Sequence, residues 1–150
     1  MNTRIAYLAA ALAILAGCKD RDKDQRQTYD NRQQQTESAD FSNNRRVFFD
    51  FDSSMITDEA KRDLQTQSEY LKQNPDVNII IEGNCDERGT REYNLALGAR
   101  RADASKRTIV SDGIDGSRIK TISYGKDHPW KNGAGEDVWR WNRNTTTTMQ

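Results

Sequence analysis

Between residues 45 and 150, short apolar runs take turns with stretches in which apolar residues recur every three or four positions. Val47, Phe48, Phe49 and Phe51 form an aromatic and β-branched run that predicts a buried strand, broken by Ser53 and Ser54. Thr57 is placed to cap a helix, and Asp58 and Glu59 put negative charge in its first turn, where the helix dipole favours it. Ala60, Leu64, Ser68 and Leu71 then share one face, and Pro75, after Asn74, ends the helix. Val77, Ile79, Ile80 and Ile81 form a second strand, whose continuous apolar character predicts burial on both faces. Thr90 caps a second helix that runs to about residue 112 and closes at Gly113. Residues 119–124 read as a third strand, 125–135 as a loop, 136–141 as a short helical turn and 143–149 as a last, threonine-rich strand. The order β-α-β-α-β-(α)-β predicts an α+β domain over residues 45–150: a mixed sheet with helices packed on one face.

The pattern changes before residue 45. Arg4 precedes an apolar run, 5–16, that is too short for the roughly 20 residues a bilayer span needs. Leu15-Ala16-Gly17-Cys18 closes the run and resembles a bacterial lipobox, so 1–17 is expected to be a lipoprotein signal peptide and Cys18 the acylated residue. An ordinary secretory signal with an incidental cysteine is the alternative. Several acyl chains on Cys18 would anchor the chain firmly, whereas one chain alone holds only marginally. Lys19, rather than aspartate, follows Cys18, which points to the outer membrane. From 18 to 44 the chain is rich in Asp, Arg, Lys, Gln, Asn and Ser, and reads as a flexible polar linker that cannot offset the entropy of ordering. As a coil it would reach about 25–30 Å on average and roughly 90 Å when stretched.

Composition narrows the function. Apolar residues are 34% of the chain and mean hydropathy is −1.00, a deficit concentrated before residue 45. With 23 basic and 23 acidic residues the formal charge is zero, and no basic stripe interleaves with aromatics, so nucleic acid is not an expected partner. If Cys18 carries lipid, Cys85 has no partner within the chain and the domain must hold without a disulfide. A single histidine, His128, makes no metal site, and no cofactor is expected.

The polar residues with most chemical potential gather where the second strand meets the second helix: Gly83-Asn84-Cys85-Asp86-Glu87-Arg88-Gly89-Thr90, then Asn94-Leu95-Ala96-Leu97-Gly98-Ala99-Arg100-Arg101-Ala102. Strand-to-helix junctions are where α/β folds tend to place ligands. Asp86 lies in the loop and Arg101 along the helix, on the face of Asn94 seven residues earlier. An opposed carboxylate and guanidinium suit a zwitterion: the carboxylate accepts from an ammonium and the guanidinium fork grips a carboxylate. The alternative is that Asp86 and Arg101 simply pair with each other.

The run resembles the signature of the peptidoglycan-associated lipoproteins, whose domain is of the OmpA C-terminal type. The resemblance is close over 45–130, and the OmpA-like family has the mixed sheet and one-sided helices expected above. It implies that Asp86 and Arg101 clasp the meso-diaminopimelate of a peptidoglycan stem peptide. It further implies that Phe51 and Asp52 form an aromatic-acid pair at the site edge, that Arg88 and Thr90 contact the peptide and that Leu97 walls the site. For these residues the structural alternatives are core for Phe51 and Leu97, and turn or cap for Arg88 and Thr90. Asn84 stands where many members have histidine. Arg143 matches the first arginine of an Asn-Arg-Arg ending, but Asn144 replaces the second and Thr145 to Thr148 replace an apolar last strand.

Catalysis is not expected. Cys85 and His128 can be drawn as nucleophile and base, but no spacing brings them together. A flagellar stator of the same domain class would need a full membrane span. The resemblance implies a lipid-anchored, non-catalytic tether between outer membrane and peptidoglycan within the Tol-Pal system, with TolB and TolA as protein partners. Ser123-Tyr124-Gly125-Lys126 and Pro129 favour that subgroup over an OmpA-like cell-wall-binding lipoprotein outside the Tol system.

Overall fold

A computed structural model describes residues 26–28, 32, 35 and 41–150. The chain divides into two units, Met1–Glu37 and Ser38–Gln150. The leader 1–17 and Cys18 lie outside the described residues. Within the segment expected to be coil, residues 26–28, 32 and 35 are helical. This corrects the coil reading at those positions: Arg and Gln lose little rotamer freedom in a helix, so a shortage of aliphatic residues does not forbid helical backbone. No helix among the described residues is long and apolar enough to cross a membrane.

Packing of the second unit begins before Arg45. Phe41 is 3% exposed, with its ring 4.5 Å from that of Tyr70, and the carbonyl of Asn44 accepts from Gln67 Nε2 at 2.7 Å. The elements that follow are β1 (Arg46–Phe48), α1 (Asp58–Gln73), β2 (Ile79–Asn84), α2 (Arg91–Ser111), a 3-10 turn (Gly116–Arg118), β3 (Ile119–Gly125), α3 (Glu136–Asn142) and β4 (Asn144–Met149). The sheet order is β1-β4-β2-β3, with β2 and β3 parallel and β4 antiparallel to both its neighbours.

The expected caps form. Thr57 Oγ1 accepts from the N–H of Ala60 at 3.1 Å, Thr90 Oγ1 accepts from that of Tyr93 at 3.2 Å, and Gly113 takes φ 100° after α2, a conformation open to glycine at little cost. Both long helices lie on the sheet face that carries Val47, Ile79 and Ile81, each 0% exposed. Two expectations about the strands change. Ile80, on the other face of β2, is only half-buried, because no long helix covers that side. β1 stops at Phe48, and Phe51 is 59% exposed rather than core.

Alternate threonines of β4, Thr145 and Thr147, lie on the helix-covered face. Thr145 shares a hydrogen bond with Ser105 of α2 at 3.1 Å, and Thr147 Oγ1 donates to Gln67 of α1 at 2.7 Å. An apolar strand is replaced by one whose hydroxyls are satisfied, which burial requires. The helix α2 reaches β2 through paired glycines: a Cβ built on Gly83 would sit 1.9 Å from the carbonyl oxygen of Gly98. At the far end, Arg118 closes α1 by donating to the carbonyls of Leu71 (3.1 Å), Asn74 (2.7 Å) and Val77 (2.7 and 3.0 Å), a cation placed where the helix dipole is negative.

Two stability outcomes follow. Gly83→Ala has backbone rather than a flexible side chain to displace, so its cost should reach or exceed the top of the about 1–3 kcal/mol range for overpacking. Arg118→Ala should cost about 2 kcal/mol, with Arg118→Lys recovering only part, because an ammonium cannot span carbonyls as a guanidinium does. Urea unfolding midpoints measure both. A midpoint unmoved by either substitution would contradict the packing described here.

Candidate functional site

β2 delivers the chain to a loop, 85–90, that turns into α2. The loop is held from several sides. Asp86 Oδ1 accepts from the N–H of Arg88 at 3.1 Å, a local turn typical of aspartate. Asn94 Nδ2 donates to the carbonyls of Arg88 (2.7 Å) and Thr90 (3.0 Å). Lys126, after β3, donates to the carbonyls of Gly89 (2.6 Å) and Glu87 (3.2 Å). Trp139 of α3 donates its indole N–H to Glu87 at 2.9 Å.

Above the loop opens a cavity of about 170 Å³. Asp52, Asp86, Arg88, Asn94, Leu97 and Arg101 line it, as does Phe51. Of the expected positions only Thr90 lies off the lining, where it serves as the helix cap. Asn94 turns its amide to the loop carbonyls, so it shapes the site more than it faces it.

Asp86 and Arg101 do not pair with each other. Arg101 is 0% exposed and spends its donors on backbone: Nε on the carbonyl of Ser53 (2.8 Å), Nη1 on that of Asn84 (2.8 Å) and Nη2 on that of Asp50 (3.0 Å), with Cys85 Sγ 3.4 Å from Nη1. A free bidentate fork, as expected from the sequence, is therefore not what Arg101 offers. It supplies a buried positive charge and little spare donor capacity. Burial pulls its pKa below the ordinary arginine value.

Asp86 is 4% exposed and lies against two other arginines. Arg88 grips it bidentately, Nε to Oδ1 at 3.1 Å and Nη2 to Oδ2 at 2.6 Å, and Arg143 Nη1 reaches Oδ2 at 3.4 Å. Burial opposes its ionisation, but the hydrogen bonds and charge of Arg88, together with Arg143, outweigh burial and hold the carboxyl below its ordinary range. Arg143 itself is fixed by the carbonyl of Phe49 (3.2 Å) and by Glu136 (2.5 Å).

Four further residues, Cys85, Gly89, Tyr93 and Arg143, complete the lining, and the sequence pattern assigns none of them a place in the site. The family resemblance matches Arg143 to a C-terminal position and gives it no role in the site. Its neighbourhood with Asp86 needs β4 to insert between β1 and β2, which no local pattern announces. Tyr93, in the first turn of α2, donates its hydroxyl to Asp52, and Asp52 holds a left-handed backbone at φ 52°, a conformation that aspartate tolerates better than most residues.

Cys85 lines the cavity as a buried thiol that donates to the carbonyl of Asn94 at 3.4 Å. Burial pushes its pKa up, against the opposing effect of Arg101, so it is protonated at neutral pH. His128 stacks on Tyr124 at 3.9 Å and does not line the cavity. Among the described residues no group of three His, Cys, Asp or Glu side chains is gathered for a metal ion.

The strand-to-helix loop, the buried arginine behind it and the four-stranded mixed sheet define an OmpA-type domain, and the profile of the OmpA family matches residues 48–143. The chain belongs to this family and, within it, to the peptidoglycan-associated lipoproteins. The peptidoglycan-associated lipoprotein of Mesorhizobium japonicum is 50% identical over 104 residues, 69% of this chain and 62% of that protein. That of Pasteurella multocida is 34% identical over 143 residues, 94% of this chain and 93% of the relative. The match therefore spans less than two thirds of the Mesorhizobium relative's length. Among solved structures, the peptidoglycan-associated lipoprotein from Burkholderia pseudomallei superposes with TM-score 0.69 at 42% identity, over 71% of this chain and 90% of that one. The C-terminal domain of Helicobacter pylori MotB shares the fold, with TM-score 0.65 at 16% identity, over 70% of this chain and 83% of that one.

The lowered pKa of Asp86 has a sign that can be tested. Its ionised form stabilises the fold fully above the ordinary carboxylate value of about 4, and that contribution is lost as pH falls through the lower folded-state value. Asp86→Asn should therefore be less stable than the parent at neutral pH, and the gap should narrow below about pH 4. Urea midpoints taken from pH 7 to pH 2 report it, and a gap that stays constant with pH would contradict the assignment.

Proposed function

We propose that this chain is a non-catalytic peptidoglycan-binding lipoprotein that holds the outer membrane to the cell wall. The observation that carries the reading is the pocket in which a buried carboxylate, Asp86, lies among three arginines, Arg88, Arg101 and Arg143. Charges of both signs within one small cavity suit the zwitterionic centre of meso-diaminopimelate, and the named relatives are peptidoglycan-associated lipoproteins. In this reading Asp86 receives the ammonium, the arginine field receives the carboxylate, and Phe51, Asp52 and Leu97 form the walls. Acylation at Cys18 fixes the other end in the outer membrane, leaving the domain in the periplasm.

TolB, and through the same system TolA, are the expected protein partners. TolB would compete with peptidoglycan if both used the Asp86 loop, and so couple the tether to envelope constriction. A lipoprotein of this family outside the Tol system would bind the wall equally well and fail to retain TolB from a periplasmic extract.

Sedimentation of the full chain in detergent with diaminopimelate-type sacculi tests the core of the reading. The parent chain should pellet. Asp86→Asn, verified as folded, should lose at least about tenfold in affinity, since it removes one partner of a desolvated contact. Lys72→Ala, on the exposed last turn of α1, should pellet like the parent. If the parent stays in solution, or Asp86→Asn pellets equally, the site is not the wall-binding site. Release of soluble sugar or peptide from the sacculi would instead mark an enzyme.

A further inference from the structure

The Asp86 carboxylate has no acceptor position to spare. Oδ1 accepts from the backbone N–H (3.1 Å) and Nε (3.1 Å) of Arg88, and Oδ2 from Arg88 Nη2 (2.6 Å) and Arg143 Nη1 (3.4 Å). A carboxylate offers about four such positions, so an incoming ammonium gains from Asp86 only when one of these donors leaves. Arg143 is not the one, because its side chain is 8% exposed and is tied to Phe49 and Glu136. The Arg88 backbone belongs to the turn. The Arg88 side chain is 30% exposed and has somewhere to go. Its guanidinium carbon already lies 3.9 Å from the ring centroid of Phe51 and 4.2 Å from that of Trp139, and Nη2 is 3.7 Å from Glu136 Oε2.

Building on the diaminopimelate reading above, we propose that Arg88 determines the specificity of the pocket by standing in for the ligand's ammonium on Asp86 and yielding only to a ligand that also carries a carboxylate beside it. A zwitterion replaces one ion pair with two: its ammonium takes Asp86 and its carboxylate takes the released guanidinium. A ligand with the ammonium alone, such as the side chain of lysine, must break the same bidentate contact and leaves the guanidinium with only Glu136 at the rim, where an exposed pair contributes little. Phe51 and Trp139 are positioning residues in this exchange. Their rings hold the guanidinium at the pocket mouth by cation–π contact, so that it meets the ligand's carboxylate instead of swinging into solvent.

The test compares two soluble probes by calorimetry with the full chain in detergent: L-alanyl-γ-D-glutamyl-meso-diaminopimelate, and the same peptide ending in L-lysine. The parent should prefer the first by at least about tenfold. Arg88→Gln should bring the preference within about threefold, by weakening the first peptide and strengthening the second, and Arg88→Lys, which restores a displaceable cation, should recover part of it. An Arg88→Gln chain that loses the same factor for both peptides, or none for either, overturns the proposal while leaving wall binding intact. A parent chain that binds neither peptide and does not pellet with sacculi overturns both. Should Arg88→Gln not fold, Trp139→Ala leaves the Asp86 pair in place and should still cut the preference about threefold; an unchanged preference there also overturns the proposal.

Discussion

The guanidinium of Arg101, at the back of the pocket, holds the site together. Arg101 is fully enclosed, and its hydrogen bonds draw on three points of the chain: Asp50 and Ser53 in the turn after β1, and Asn84 at the end of β2. A buried guanidinium is tolerable only when its donors are satisfied. Here carbonyl dipoles satisfy it and no carboxylate cancels it, so its charge persists as a positive field behind the pocket. The same bonds fix the 50–53 turn against the sheet, which sets Phe51 and Asp52 at the mouth of the cavity. Without Arg101 the two halves of the site would have no common frame.

That placement depends in turn on how closely α2 approaches β2. The glycine pair Gly83 and Gly98 lets helix and strand backbones meet, and Arg101, three residues beyond Gly98, is carried round to nearly the same face. Ser123 and Lys126 then tie α2 and the loop to β3, through the carbonyls of Leu95 (2.7 Å) and Gly89 (2.6 Å). The pocket is therefore built from sheet ends and one helix flank. A loop so anchored presents its charges in a set geometry, which lowers the entropic cost of binding.

The electrostatics of the cavity are those of a mixed site. Three arginines line the cavity with Asp86 and Asp52, and the bidentate contact of Arg88 with Asp86 sits at the edge where solvent and ligand can reach it. MotB shares the fold at 16% identity, so the scaffold tolerates wide change in sequence. The charged groups of the present site come from the loop and from residues that α3 and β4 bring to it, in keeping with function residing in sites grafted on folds.

Much of this was readable from the chain alone. Periodicity, caps and breakers located both long helices, the strands and their ends to within a few residues, because these depend on local dihedral preference and on which face is apolar. The clustering of Asp86, Asn94 and Arg101 was legible for the same reason: loop and helix are contiguous, and the helical repeat fixes the face. The sequence also suggested that Asp86 and Arg101 oppose each other as free groups. Only the folded chain decided that Arg101 is committed to carbonyls and that Asp86 belongs to Arg88 and Arg143. Position 143 is 57 residues from Asp86 and reaches it because β4 crosses back between β1 and β2, while two of the three carbonyls that bind Arg101 come from a turn about 50 residues away. Hydropathy carries no record of such pairings. A local pattern states what each residue prefers to do, but the partner that satisfies a buried charge is chosen by tertiary packing.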